Sequence, residues 1–176
     1  MRTASRFMPR AAKRRPHPLA YPLLAAFAGA YGYGLWKAPL VCIGLTIFLV
    51  GMGFGLAHYQ RWKLNRLAEA RNRESICTFA RAFDARSIDP WVIRAVYEQL
   101  QEHLKPTKPP FPLLPTDRLR QDLMLDDDDL DMDLVPDIAA RTGRPLSGSA
   151  ENPYFGKVVT VRDLVEFFCA QPKSAT

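Results

Sequence analysis

Leu19-Ala-Tyr-Pro-Leu-Leu-Ala-Ala-Phe-Ala-Gly-Ala-Tyr-Gly-Tyr-Gly-Leu-Trp36 and, after Lys37-Ala-Pro39, Leu40-Val-Cys-Ile-Gly-Leu-Thr-Ile-Phe-Leu-Val-Gly-Met-Gly-Phe-Gly-Leu-Ala-His-Tyr59 decide how this chain is read. The first stretch holds no charged residue over 18 positions, and the second runs for 20 positions with one basic residue, His58, at its far edge. A helix of such length covers about 30 Å, the thickness of a bilayer's hydrocarbon core. Three residues between them suffice only to reverse the chain. The expectation is a tight transmembrane helical hairpin.

Charge is distributed to match. The net charge of +6 over 176 residues conceals two opposite halves. Residues 1 to 74 carry twelve Lys and Arg against Glu69 and Glu74, a balance of +10, and residues 75 to 176 carry twelve against sixteen acids, a balance of −4. The basic residues crowd both ends of the apolar region, with Arg2, Arg6, Arg10, Lys13, Arg14 and Arg15 before it and Arg61, Lys63, Arg66, Arg71 and Arg73 after it. Positive flanks stay on the cytoplasmic side and attract anionic lipid. The chain is therefore expected in a bacterial inner membrane as a multi-pass protein with both termini cytoplasmic. A cleaved signal peptide over Leu19 to Ala30 is the rival reading, opposed by the Gly and aromatic residues at 26–36 and by the second apolar run. Cys42, Cys77 and Cys169 form no motif and suit a reducing compartment.

Small residues recur four apart, as Ala26, Ala30 and Gly34 in the first stretch and Gly51 and Gly55 in the second. This spacing lets helices pack closely in lipid, so the hairpin is expected to self-pack and to offer a surface for self-association. No charged residue lies at mid-membrane, the usual mark of transport. His58, Tyr59 and Trp62 read as an interfacial anchor.

Five segments follow from this pattern: a basic terminus at 1–18, the hairpin at 19–59, a juxtamembrane helix or linker at 60–88, a helical domain at 89–171 and a tail at 172–176. In the linker, Leu64, Leu67, Ala68, Arg71 and Ile76 recur loosely at helical spacing, suiting a helix along the headgroups. Asp89 can cap a helix whose first turn holds Pro90 and whose apolar stripe is Trp91, Ala95, Val96, Leu100 and Leu104. Pro106, Pro109, Pro110, Pro112 and Pro115 then enforce a stiff connection. Asp126, Asp127, Asp128, Asp129, Asp131 and Asp133 open the next helix, with Asp127 or Asp128 as its cap and Leu130, Leu134, Val135, Ile138 and Ala139 inward. It stops at Arg141 and Gly143. Leu146, Tyr154 and Phe155 are expected to pin the following loop to the core. Thr160 and Asp163 form a capping box for a last helix that buries Val161, Leu164, Val165 and Phe168 and ends before Pro172. The fold class is all-α.

Six aspartates in eight positions exceed what capping needs, and their repulsion favours a cation or a basic partner. The calcium-loop pattern is absent, because counting from Asp126 places Asp131 at the sixth position and Asp137 at the twelfth, where Gly and Glu belong. A basic protein surface meeting Asp127, Asp128, Asp131 and Asp133 is the better expectation. No cofactor or metal is expected. His17, His58 and His103 are scattered, Cys77 and Cys169 lack a partner at motif spacing, and Ser147 and Ser149 lack a nucleophile elbow, so the chain does not read as an enzyme. The acidic C-terminal half argues against nucleic acid.

Leu119-Arg-Gln-Asp-Leu-Met-Leu-Asp-Asp-Asp-Asp-Leu130, Arg144-Pro-Leu-Ser147 and Thr160-Val-Arg-Asp-Leu-Val165 together resemble, over residues 89 to 171, a bacterial family of acyl-carrier-like proteins. The resemblance implies a small acyl-carrier-like helical bundle. It implies no carrier activity, since Asp126 to Leu130 offers no hydroxyl where that family attaches phosphopantetheine. It also implies that an acidic second helix is the recognition face for basic partners. The function expected is a membrane-anchored, non-enzymatic interaction domain that recruits or regulates a basic cytoplasmic protein. The alternative is a structural membrane protein acting through helix association in an envelope assembly.

Overall fold

A computed structural model describes residues 18–71, 75–84, 86–104 and 110–173. The basic cluster from Arg2 to Arg15, His17, Arg73, Glu74 and the prolines Pro106 and Pro109 lie outside the described residues. Among those described there are six α-helices and no strand. They fall into two units divided between Gln60 and Arg61.

In the first unit, α1 (Ala20–Lys37) and the apolar part of α2 (Pro39–Glu69) meet at Ala38, whose N–H donates to the Gly34 carbonyl. Pro39 opens α2, where a missing N–H costs nothing. Near the turn the helices touch. Tyr31 Oη and Thr46 Oγ1 lie 2.7 Å apart, and a Cβ on Gly34 would meet Cys42 Sγ at 3.0 Å. Of the three glycines in the small-residue pattern only Gly34 serves this approach, for nothing lies within 4 Å of a Cβ built at Gly51 or Gly55.

The two-span hairpin requires correction. Among the described residues one helix, α2, is long and apolar enough to cross a membrane. It has 31 residues, none of them buried. By contrast α1 ends after 18 residues on Lys37, about 27 Å, and is interrupted by Tyr21, Pro22, Gly29, Tyr31, Gly32, Tyr33 and Gly34. Glycines expose backbone and tyrosines carry hydroxyls, so its apolar content falls short although it is uncharged until the end. The multi-pass inner-membrane topology with both termini on one side falls with the second span.

The second unit is built around α4 (Pro90–Leu104), which packs against α3 (Ile76–Arg81), α5 (Val135–Thr142) and α6 (Val161–Ala170). Asp89 Oδ1 accepts from Trp91 N at 3.1 Å, and Val92, Ala95, Val96 and Leu100 are fully buried. Phe79 from α3 packs on Phe83 and Tyr97 with ring centroids 5.2 and 5.3 Å away. Leu64, Leu67 and Ala68 of α2, with Ile76, lie against this same core. After the prolines, Phe111 and Leu113 enter the core, and the Gln101 side chain holds Phe111 by both backbone groups, at 2.6 and 2.7 Å. The last helix matches its sequence signal: Thr160 Oγ1 accepts from Asp163 N at 3.2 Å, Asp163 Oδ2 accepts from Thr160 N at 2.8 Å, and Val161, Leu164, Val165 and Phe168 are buried.

Three polar clusters tie these elements. Arg71 grips Asp117 through both terminal nitrogens, at 2.8 and 2.6 Å, and donates to the Pro112 carbonyl, while Leu114 N also donates to Asp117. Arg141, almost buried, joins α5 to Glu98 and Gln99 of α4. Arg144 reaches the Cys169 and Gln171 carbonyls and Asp89, which also meets Lys173 at 2.7 Å. Burial alone would raise the Asp89 carboxyl. The Lys173 and Trp91 hydrogen bonds and the Lys173 and Arg144 charges outweigh it and hold the group below its usual 3.8. A depressed carboxyl stabilises the fold above its unfolded pKa, and that contribution is lost as pH falls through the lower folded value. Asp89→Ala removes a cap and the acid facing a nearly buried arginine, an expected loss of about 2–4 kcal/mol in urea unfolding. Asp89→Asn should restore the capping part alone and flatten the loss of stability below pH 3.8.

Met124 adopts φ 56°, a left-handed conformation that lets both Leu123 and Leu125 turn into the core. Met124→Gly removes the Cβ penalty and should be neutral to about 1 kcal/mol stabilising, whereas Met124→Ile should cost about 1–2 kcal/mol by thermal unfolding.

Candidate functional site

The acidic segment does not begin as the sequence suggests. Asp126, rather than Asp127 or Asp128, caps the helix: its Oδ1 accepts from Asp129 N at 2.8 Å, and Asp129 Oδ2 faces Asp126 N at 3.4 Å. Asp128 makes no side-chain cap. A π-helical turn follows over Asp129–Leu134, closed by Val135 N donating to the Leu130 carbonyl, five residues back. Pro136 gives the physical reason. It has no N–H to donate and its ring would strike the carbonyl four residues earlier, on Met132, so the helix widens by one residue before α5 begins.

The widened turn places Leu130 and Val135 toward an open groove of about 480 Å³. Leu164 and Phe167 of α6 floor it, Leu146, Phe155 and Val158 wall it, and Asp127, Asp131 and Ser149 complete its lining. The lining is mostly apolar and includes the two carboxylates of Asp127 and Asp131. Phe155, expected to pin the loop, is instead 55% exposed at the groove. Leu146 and Tyr154 do pack against the core as expected, and Asn152 adds a hydrogen bond, its Nδ2 donating to the Phe167 carbonyl at 2.9 Å.

Of the four sequence-designated aspartates, Asp127 and Asp131 come together on the groove. Asp128 and Asp133 are exposed and do not line it. Asp127 has a counter-charge in Arg120 at 3.1 Å, with both side chains more than two-thirds exposed. Such a pair contributes little and exchanges readily for another cation. Asp129 lies 3.6 Å from His103 at the end of α4. The apolar groove residues escaped the sequence reading because each looks like ordinary core. The loop at 154–159 carried the signal, with Tyr154 and Val158 packed on the core and Phe155 left exposed.

Among the described residues no three His, Cys, Asp or Glu lie close enough to share a metal ion. Burial pushes the Cys169 thiol up, against thiolate formation.

No protein-family model matches the chain, and no curated protein or solved structure matches it either. The resemblance to acyl-carrier-like proteins is thereby overturned. Its elements have local physical causes: buried Leu119, Leu123 and Leu125 around the Met124 turn, the Asp126 cap, and the capping box at Thr160. Any series of capped amphipathic helices reproduces such a pattern without common descent. What stands is a compact all-helical unit with a buried ion-pair network, in a chain that also carries one long apolar helix.

Proposed function

We propose that this chain is a membrane-tethered, non-catalytic interaction module that captures a basic amphipathic segment of a partner protein in its acidic groove. The observation that carries the reading is the apolar groove with Asp127 and Asp131 on its lining and Asp128 and Asp133 exposed beside it. An apolar side chain of the partner fills the cleft, and its Lys or Arg displaces Arg120 from Asp127. Helix-in-groove recognition works this way, with apolar anchors for affinity and charges for orientation and on-rate. The tether is α2, whose exposed Phe, Leu, Ile and Val residues need an apolar solvent.

The test places a photo-crosslinker in the groove of the full-length protein, as Phe155→benzoylphenylalanine, and offers two synthetic amphipathic helices, one of Leu and Lys and one of Leu and Glu. The Leu/Lys helix should crosslink, with yield falling about tenfold in Asp127→Asn/Asp131→Asn and in high salt. Equal crosslinking of the Leu/Glu helix, or a yield indifferent to the two aspartates, refutes the reading.

A further inference from the structure

The end of α2 carries a second charged surface, of opposite sign. Arg66 sits over the Trp62 ring at 4.7 Å from its centroid. One turn away, Lys63 Nζ donates to the Gln121 carbonyl at 2.8 Å, and the side-chain oxygen of the same Gln121 accepts from Arg118 Nη1 at 2.6 Å. A loop residue 58 positions from Lys63 in sequence is thus fixed beside the helix cations. Among the described residues no carboxylate forms an ion pair with Lys63, Arg66 or Arg118. The nearby Asp122 is turned inward to the Arg118 backbone N–H at 2.8 Å. Three cations with no ion-pair partner among the described residues and an exposed indole therefore share one surface.

We infer that Lys63, Arg66 and Arg118 form a binding surface for anionic lipid headgroups, so that the helical unit itself selects the lipid around the tether. The inference rests on the tethering part of the proposed function and is independent of the groove. Lys63 stands four residues past Tyr59 in one helix, about 6 Å along its axis, which is the depth of the headgroup layer. Trp favours that layer, and each cation held there gains from negative lipid charge. Arg118 is the informative member. Its sequence position, 52 residues past Arg66, does not mark it as a neighbour of α2, and the shared hydrogen bonds to Gln121 hold it beside Lys63.

Full-length protein reconstituted in phosphatidylcholine vesicles, with trace spin-labelled phosphatidylglycerol or phosphatidylcholine, provides the measurement. The ratio of motionally restricted to free lipid in the electron spin resonance spectrum gives the headgroup preference. Phosphatidylglycerol should be preferred, and Arg118→Gln and Lys63→Gln should each lower the preference about two- to fivefold. Arg120→Gln removes the same charge two residues away, from an arginine already facing Asp127, and should leave the preference unchanged. An unchanged preference in Arg118→Gln, or an equal fall in Arg120→Gln, overturns the surface. Stronger suppression by inorganic phosphate than by chloride at equal ionic strength would make free phosphate the ligand and overturn it too. Absence of any restricted lipid removes the tether, and this surface with it, while the groove crosslinking is unaffected.

Discussion

Asp117→Ala is expected to cost about 3–5 kcal/mol, a large share of the 5–15 kcal/mol that holds a domain of this size together. Asp117 is 2% exposed and satisfies four demands at once: two Arg71 nitrogens, the Leu114 N–H and the charge of a guanidinium that is itself mostly buried. Truncation leaves Arg71 with only the Pro112 carbonyl and strands the Leu114 donor. The double variant Arg71→Met/Asp117→Leu should recover part of the loss, because apolar groups of similar volume replace a desolvated pair without orphaning either partner. Urea unfolding of the wild type and both variants decides this. A loss below about 1 kcal/mol for Asp117→Ala would mean that the pair is as inconsequential as a surface ion pair.

Leu49→Arg, at the middle of the apolar part of α2, is expected to raise the cost of membrane insertion by about 2.5–3.5 kcal/mol relative to an uncharged residue, roughly 70- to 400-fold in partition. The protein should move from the alkali-resistant membrane fraction toward the extractable one. Leu35→Arg, near the end of α1 and beside Lys37, should change extraction little, because α1 is not required to cross. Equal effects of the two substitutions would restore a second membrane segment.

Local signals in the sequence reported local structure faithfully. The capping box at Thr160 and Asp163, the Asp89-Pro90 start of α4, and the Gly143 stop of α5 at φ 64° each depend on residues within a few positions of one another. Composition alone was less dependable. Lack of charge made Leu19 to Trp36 look like a span, yet its glycines and tyrosines leave it short of the requirement that α2 meets. The acidic segment was legible as a helix start, but four consecutive aspartates left the cap ambiguous, and it fell on Asp126, whose carboxylate reaches Asp129 N. The groove was half legible. Asp127 and Asp131 stood out by charge, whereas Phe155, Val158 and Phe167 join them only through tertiary packing. The ion pairs Arg71–Asp117 and Arg144–Asp89 connect residues 46 and 55 positions apart, a separation at which no periodicity or motif operates.

The proposed tether is one helix, α2, carrying the folded unit at a bilayer. Site-specific labelling with a membrane-impermeant maleimide tests this in sealed vesicles, using Cys42→Ser/Cys169→Ser protein with either the native exposed Cys77 or, in Cys77→Ser, a new cysteine from Leu19→Cys. One crossing predicts that the two positions label from opposite faces of the vesicle. Labelling of both from the same face, or release of the unmodified chain from the vesicles by alkali, would contradict it.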